Sequence, residues 1–279
     1  MSFKAIFFAF VLILSSSWLF AVQKEKDISY SINGHTRNIL DIYFPKNITS
    51  KKSVLVFIHG GSWKKGDKKT YWWLGRNMAN KGVVTVIINY RLTPQFQYEE
   101  MATDCATALK WVKNNISQYG GNSNQIFVMG HSAGGHLAAL INSDPRFFKH
   151  QNIQNPIKGL ILNDTFGLDM HEYLSSAEND EFTASFLKTF STDQEKWKIA
   201  SPLTYLDNIR NPHLILVGEK SYPSIKNQSK FLFDELKSMN NPVEFHVLKN
   251  KKHIAMISQM IFKKNGVYKY LIDFIKMHC

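Results

Sequence analysis

Seven short runs of apolar residues recur along the chain. They are "NILDIYFP" (38–45), "SVLVFIHGG" (53–61), "VVTVIINYR" (83–91), "QIFVMGHS" (125–132), "IKGLILND" (157–164), "PHLILVGE" (212–219) and "VEFHVLKN" (243–250). Their length and β-branched content predict strands. Longer stretches with helical spacing lie between them. In "YEEMATDCATALKWVKNNIS", residues Met101, Cys105, Ala108, Leu109, Val112 and Ile116 fall on one helical face, and Glu99 and Glu100 occupy the first turn, where the helix dipole favours anions. "SIKNQSKFLFDELKSM" and "VYKYLIDFIKM" predict two further helices. Strands apolar on both faces, alternating with helices, predict an α/β fold with a mostly parallel sheet covered on both sides. Ligands of such sheets sit beyond the carboxyl ends of the strands. His59-Gly60-Gly61, Ser132, Asp164, Glu219 and His253 all fall at those ends. Residues 165–201 break the alternation with a polar stretch bearing helical patches, and predict a small lid-like insertion above the strand ends.

The 279 residues suit one large α/β domain over 22–279. The first residues, "MSFKAIFFAFVLILSSSWLFAVQKEKD", combine Lys4, an apolar run and a polar boundary. They read as a secretory signal over 1–21, cleaved after Ala21, with an uncleaved membrane anchor as the alternative. The net charge of +12 comes from scattered lysine pairs, including Lys51-Lys52, Lys64-Lys65 and Lys251-Lys252, and no nucleic-acid motif accompanies them. A solvated surface is the simpler reading, and weak association with anionic surfaces is compatible with it. Cys105 and Cys279 are the only cysteines and read as a buried thiol and a free terminal one. Asn-x-Ser/Thr sites occur at Asn47, Asn115, Asn163 and Asn227. No metal or cofactor motif is present in the sequence, so none is expected.

The chemistry centres on "VMGHSAGGHLAAL" (128–140). Ser132 lies between Gly130 and Gly134, with a strand before it and a helix after it. A sharp strand-to-helix turn of this kind exposes a nucleophilic serine, and side chains at the flanking positions would clash. The second element is "HGGSW" (59–63), which ends the strand "SVLVFI". The N–H groups of Gly60 and Gly61, with that of Ala133, are expected to bind an oxyanion, since glycines let the main chain approach the reacting carbonyl. His253, in the loop after the last strand, is the expected base. His246 lies inside that strand, and His131 and His136 read as packing residues or pocket wall. Trp63, Phe166 and Tyr222 are candidate pocket aromatics.

"IHGGSWKKGDK", "NYRLTP", "ALKWVKNN", "YGGNSNQIFVMGHSAGGHLAAL" and "IASPLTYL" resemble the α/β-hydrolase superfamily. The nearest branch is the esterases related to hormone-sensitive lipase, including feruloyl or acetyl esterase-like and kynurenine formamidase-like members. The resemblance runs over roughly residues 35–275 and implies the α/β-hydrolase fold. It also implies a serine esterase acting on a small-molecule or acylated-sugar ester through an acyl-serine intermediate. A formamidase or amidase, or a non-catalytic binding protein on this fold, stands as the alternative. One position departs from the pattern. The family's acid usually lies three residues beyond the glycine that ends the next-to-last strand; here that glycine is Gly218, and the third residue on is Ser221. Asp164, at the preceding strand end where relatives usually carry serine, is the favoured replacement, and Glu219 is the alternative. Asp169 and Asp104 match family positions outside the triad.

Overall fold

A computed structural model describes residues 22–279, apart from 33, 47, 48 and 179. The expected signal segment and the site at Asn47 therefore lie outside the described residues. All seven apolar runs form strands of a single sheet. They are β2 (Ile39–Pro45), β3 (Lys52–Ile58), β4 (Val84–Ile88), β5 (Gly121–His131), β6 (Ile157–Asn163), β7 (His213–Gly218) and β8 (Val243–Leu248). An eighth strand, β1 (Val22–Ser29), was not expected from the sequence. Its stretch "VQKEKDIS" is mostly exposed and carries no apolar pattern. It is a strand because its backbone pairs with β2, and its charged side chains suit an edge. The sheet order is β1-β2-β4-β3-β5-β6-β7-β8. β1, β2 and β4 pair antiparallel, and every pairing from β4 to β8 is parallel.

The continuous apolar runs are explained by burial on both faces. Val54, Val56 and Ile58 of β3 pack on one side, and Leu55 and Phe57 on the other; Val128 of β5 opposes Phe127 and Met129 in the same way. Each fully buried side chain of this kind stabilises the fold by about 1.5–3 kcal/mol relative to exposure. Among the described residues, ten α-helices follow in chain order: α1 (Trp72–Ala79), α2 (Tyr98–Asn115), α3 (Ala133–Ser143), α4 (Arg146–His150) and α5 (Met170–Ser176), then α6 (Glu181–Phe190), α7 (Gln194–Ile199), α8 (Pro223–Ser238), α9 (His253–Ser258) and α10 (Val267–Met277). α2, α3 and α8 cover one face through residues such as Leu109, Leu137 and Leu232. α1, α9 and α10 cover the other through Leu74, Met256 and Phe274. The Glu100 carboxylate accepts the Gln97 N–H at the start of α2 (2.9 Å), and Pro223 occupies the first turn of α8.

Residues 165–201 hold α5, α6 and α7. Leu174, Phe186, Phe190 and Trp197 of this stretch pack into the same core as α2 and α3. Cys105 is buried and Cys279 exposed, both with free thiols. Asn163 is fully buried on β6, and its side-chain amide donates to the Met256 carbonyl (3.2 Å), so that glycosylation site is closed in the folded chain.

Candidate active site

Ser132 sits between the end of β5 and the first residue of α3, at φ 55° and ψ −126°. A serine rarely adopts such angles, and a fold that enforces them is a hypothesis of function in itself. The enforcement is visible at its neighbours. A Cβ on Gly130 would stand 2.3 Å from the Gly134 oxygen, and one on Gly134 would stand 2.2 Å from the Ile58 oxygen. Only glycine lets the turn close against β3.

His253 is the first residue of α9, and Asp164 immediately follows β6. The imidazole bridges the two other side chains: Nε2 lies 2.8 Å from Ser132 Oγ and Nδ1 lies 2.7 Å from Asp164 Oδ2. The carboxylate can only accept, so Nδ1 carries the proton and Nε2 offers its lone pair to the Ser132 hydroxyl. Asp164 is fully buried, at φ 52°. Its own N–H donates to the Leu216 carbonyl of β7 (2.7 Å). Oδ1 accepts the Gly218 N–H (2.7 Å), and Oδ2 accepts the Ser221 hydroxyl (2.5 Å) as well as His253. A buried carboxylate is tolerable only when donors surround it, and the end of β7 with the turn after it supplies two of the three. Ser221 thus contacts the carboxylate from the position where the resemblance expects an acid.

The other carboxylates are engaged elsewhere. Glu219 points to the surface, where its Oε2 accepts the Asn250 N–H (2.7 Å). Asp169 caps α5 by accepting the Glu172 N–H (2.8 Å). Asp104 holds the Arg91 guanidinium through two oxygens, each at 2.8 Å. The other histidines near the nucleophile and on the last strand also have partners. His131 stacks on His253 with ring centroids 4.9 Å apart, and burial lowers its pKa to about 3. His136 accepts the Trp63 indole N–H at Nδ1 (3.2 Å) and donates from Nε2 to the Ala200 carbonyl (2.8 Å); burial lowers its pKa to about 4. His246 pairs with Glu244 on β8 (3.1 Å).

Ser132 and His253 open onto a cleft of about 860 Å³, bordered by Gly60, Gly61 and Ala133. A Cβ on Gly60 would lie 2.8 Å from the His131 oxygen and 3.1 Å from Ser132 Cβ. Gly61 has φ 132°, and a Cβ there would overlap the Lys65 carbonyl. The Ala133 N–H is the first of α3 and has no partner within the helix. The expected pocket aromatics Trp63, Phe166 and Tyr222 all border the cleft. Trp63 does so from full burial, its ring 4.8 Å from that of Phe190 and 5.6 Å from that of Phe186. Tyr71, Trp73 and Tyr173 also line it and were not singled out in the sequence. The signal for Tyr71 and Trp73 was the aromatic run "TYWW", which had no strand or helix period to place it. Among the described residues, no cluster of three or more His, Cys, Asp or Glu side chains could hold a metal ion.

A mostly parallel sheet, with the strained serine after β5 and the histidine after β8, places the molecule in the α/β-hydrolase fold class. The chain belongs to the BD-FAE family, whose profile matches residues 40–236. A probable isoprenylcysteine alpha-carbonyl methylesterase of Arabidopsis thaliana is 28% identical over 272 residues, covering 92% of this chain and 64% of that protein. The chain therefore spans less than two thirds of the length of that relative. The probable carboxylic ester hydrolase LipM of Mycobacterium tuberculosis is 42% identical over 129 residues, covering 44% of this chain and 30% of that protein. Among solved structures, esterase B from Lactobacillus rhamnosis superposes with a TM-score of 0.76 at 18% identity, over 98% of this chain and 92% of that one.

Proposed function

We propose that this chain is an exported serine hydrolase that cleaves carboxylic esters of short to medium acyl length. The observation that carries the reading is the hydrogen-bonded row Ser132–His253–Asp164, with links of 2.8 and 2.7 Å, facing a cleft of small-molecule size. Ser132 Oγ attacks the ester carbonyl carbon, and its proton passes to His253 Nε2. The carbonyl electrons move onto oxygen, where the N–H groups of Gly60, Gly61 and Ala133 receive the charge. Collapse breaks the bond to the alkoxy oxygen, which leaves as the alcohol with the proton from His253. Water then attacks acyl-Ser132, again giving its proton to His253. The serine oxygen departs with that proton, and the acid is released. Asp164 holds the imidazole tautomer and stabilises its cation. The relatives named as esterases support the activity, and the apolar segment at 1–21 supports export.

The test is a p-nitrophenyl ester panel from acetate to decanoate on the mature chain, with Ser132→Ala as control. Turnover should peak at short to medium chains, and a fluorophosphonate should label the parent but not the variant. A parent chain that neither turns over any ester nor takes the label would leave a binding protein as the better reading. A second reading, cleavage of a formamide or amide, is favoured by one finding: the kynurenine formamidase of Danio rerio is 24% identical over 242 residues, covering 77% of that protein. Faster turnover of N-formyl anilides than of matched esters would select it.

A further inference from the structure

A second cleft, of about 610 Å³, lies on the sheet face that carries α1. Two sequence periods build it. On β1 and β2, alternation places Val22, Lys24 and Lys26 beside Asp41 and Tyr43, with Lys24 directly opposite Tyr43. On α1, the four-residue spacing aligns Trp72, Arg76 and Asn80 as the facing wall, and Lys69 stands one turn before them. A helix packed on a sheet ordinarily seals such a seam with apolar side chains. Here Lys24, Lys26, Asp41, Arg76 and Asn80 interrupt the seam with charged and polar side chains.

Three features point to a ligand. First, Lys24, Lys26 and Arg76 form no salt bridge among the described residues. Second, the one carboxylate that lines the cleft is Asp41, and its Oδ2, like the Tyr43 hydroxyl, is closed to solvent, so the rim cations have no acidic partner within reach. Asp41 itself belongs on the wall, because the buried Lys68 ammonium bonds its other oxygen and also Asp27. Third, the Trp72 indole is 52% exposed and offers a flat apolar face. Five cations, counting Lys68, stand against the two carboxylates Asp27 and Asp41, so the surroundings favour an anion. The exposed Trp72 indole suits a ring with apolar C–H groups. A sugar ring bearing a carboxylate or phosphate combines these two properties.

We propose that this cleft binds an anionic sugar unit of a glycan chain. The position gives the binding a use. Residues 70, 71 and 73 line the active-site cleft, while residues 69, 72 and 76 line the second one, so a single ridge separates the two. A glycan held by Trp72 and Arg76 would run toward Ser132 and present an ester carried on a neighbouring sugar. This step rests on the ester-hydrolase reading, but the binding itself does not, and the experiment separates them.

The experiment is calorimetric titration of the folded Ser132→Ala chain with an oligogalacturonide, a neutral cello-oligosaccharide of equal length, glucose 6-phosphate, and phosphatidylglycerol vesicles. The oligogalacturonide should bind at least tenfold more tightly than the neutral chain and weaken as salt rises. Glucose 6-phosphate should bind more weakly at the same site and compete, whereas competition at equal strength would mark a sugar-phosphate site instead. Trp72→Ala and Arg76→Gln, each checked for folding by thermal unfolding, should each weaken the oligogalacturonide at least fivefold. The double change Lys263→Gln/Lys264→Gln, at an exposed loop outside the second cleft, should not. Equal binding of the neutral chain, loss in the loop control to the same degree, or binding only to vesicles would each overturn the proposal. Failure of ester turnover with this binding intact would overturn the hydrolase reading alone.

Discussion

Asp164 and Glu219 stand at the carboxyl ends of neighbouring parallel strands, β6 and β7, yet they have opposite fates. Asp164 turns inward, fully buried, and meets His253. Glu219 has the longer side chain but turns outward and caps the Asn250 N–H. Reach is therefore decided by where the chain leaves its strand, not by the length of the side chain. The positive φ of Asp164 and its bond to Leu216 aim the shorter carboxylate, and the donors from Gly218 and Ser221 hold it.

The largest effect should separate these two carboxylates. Asp164→Asn is expected to lower kcat on a p-nitrophenyl butyrate-type ester by about 10³- to 10⁴-fold, the scale for an acid that fixes the imidazole tautomer. Glu219→Gln should stay within about twofold; the reverse order would move the acid to β7. An exchange tests the comparison next. Adjacent strands lie about 4.8 Å apart, so Asp164→Ser combined with Ser221→Asp should recover at least about tenfold over Asp164→Ser alone. A double variant no faster than the single one would mean that the β7 position cannot serve the same imidazole. A smaller loss, about tenfold in kcat/KM, is expected for Ser221→Ala, since a hydrogen bond to a charged group contributes about 1.5–3 kcal/mol. Urea unfolding should show a stability loss of similar size.

A small effect on turnover should come from His131, which touches His253 only by stacking and by a contact with its carbonyl (3.3 Å). His131→Asn should alter kcat by no more than a few fold. Its effect on stability has a definite sign. Burial holds the folded pKa near 3, against an ordinary 6.5. Between those values the unfolded chain binds the extra proton, so His131 draws stability down as pH falls below about 6.5. The variant should lose less stability than the parent between pH 7 and 4.5, as read by urea midpoints. Parallel losses in the two proteins would refute the buried, neutral assignment.

Much of the fold was legible because its strands are apolar on both faces and need no partner to be recognised. β1 was not, because Lys24, Glu25 and Lys26 carry no period; only the exposed backbone of β2 makes that stretch a strand. α1 was missed for the opposite reason. Trp73, Leu74, Gly75, Asn77, Met78 and Ala79 are all buried, which leaves no clear polar face to reveal a helix. In the candidate site, Ser132, Gly60 and Gly61 could be read from local turn chemistry. The meeting of Asp164 with His253 depends on β6 lying beside β7, a neighbourhood set by the sheet order rather than by any local stretch. The second cleft was illegible for the same reason, since it joins residues 22–26, 41–43 and 69–80.

The contact between Asp164 and Ser221 also bears on how such a site can change over generations. Two strand ends form two sockets that meet one carboxylate and one hydroxyl, and moving the charge from one socket to the other takes two substitutions. A sequence with serine in both sockets has no charge to stabilise the imidazolium. A sequence with aspartate in both must keep one of them protonated, because two like charges so close cannot both ionise. That protonated carboxyl would donate a hydrogen bond to its neighbour, as the Ser221 hydroxyl does. The passable route between the two arrangements therefore runs through the doubly acidic sequence, which keeps a negative charge beside the imidazole at every step.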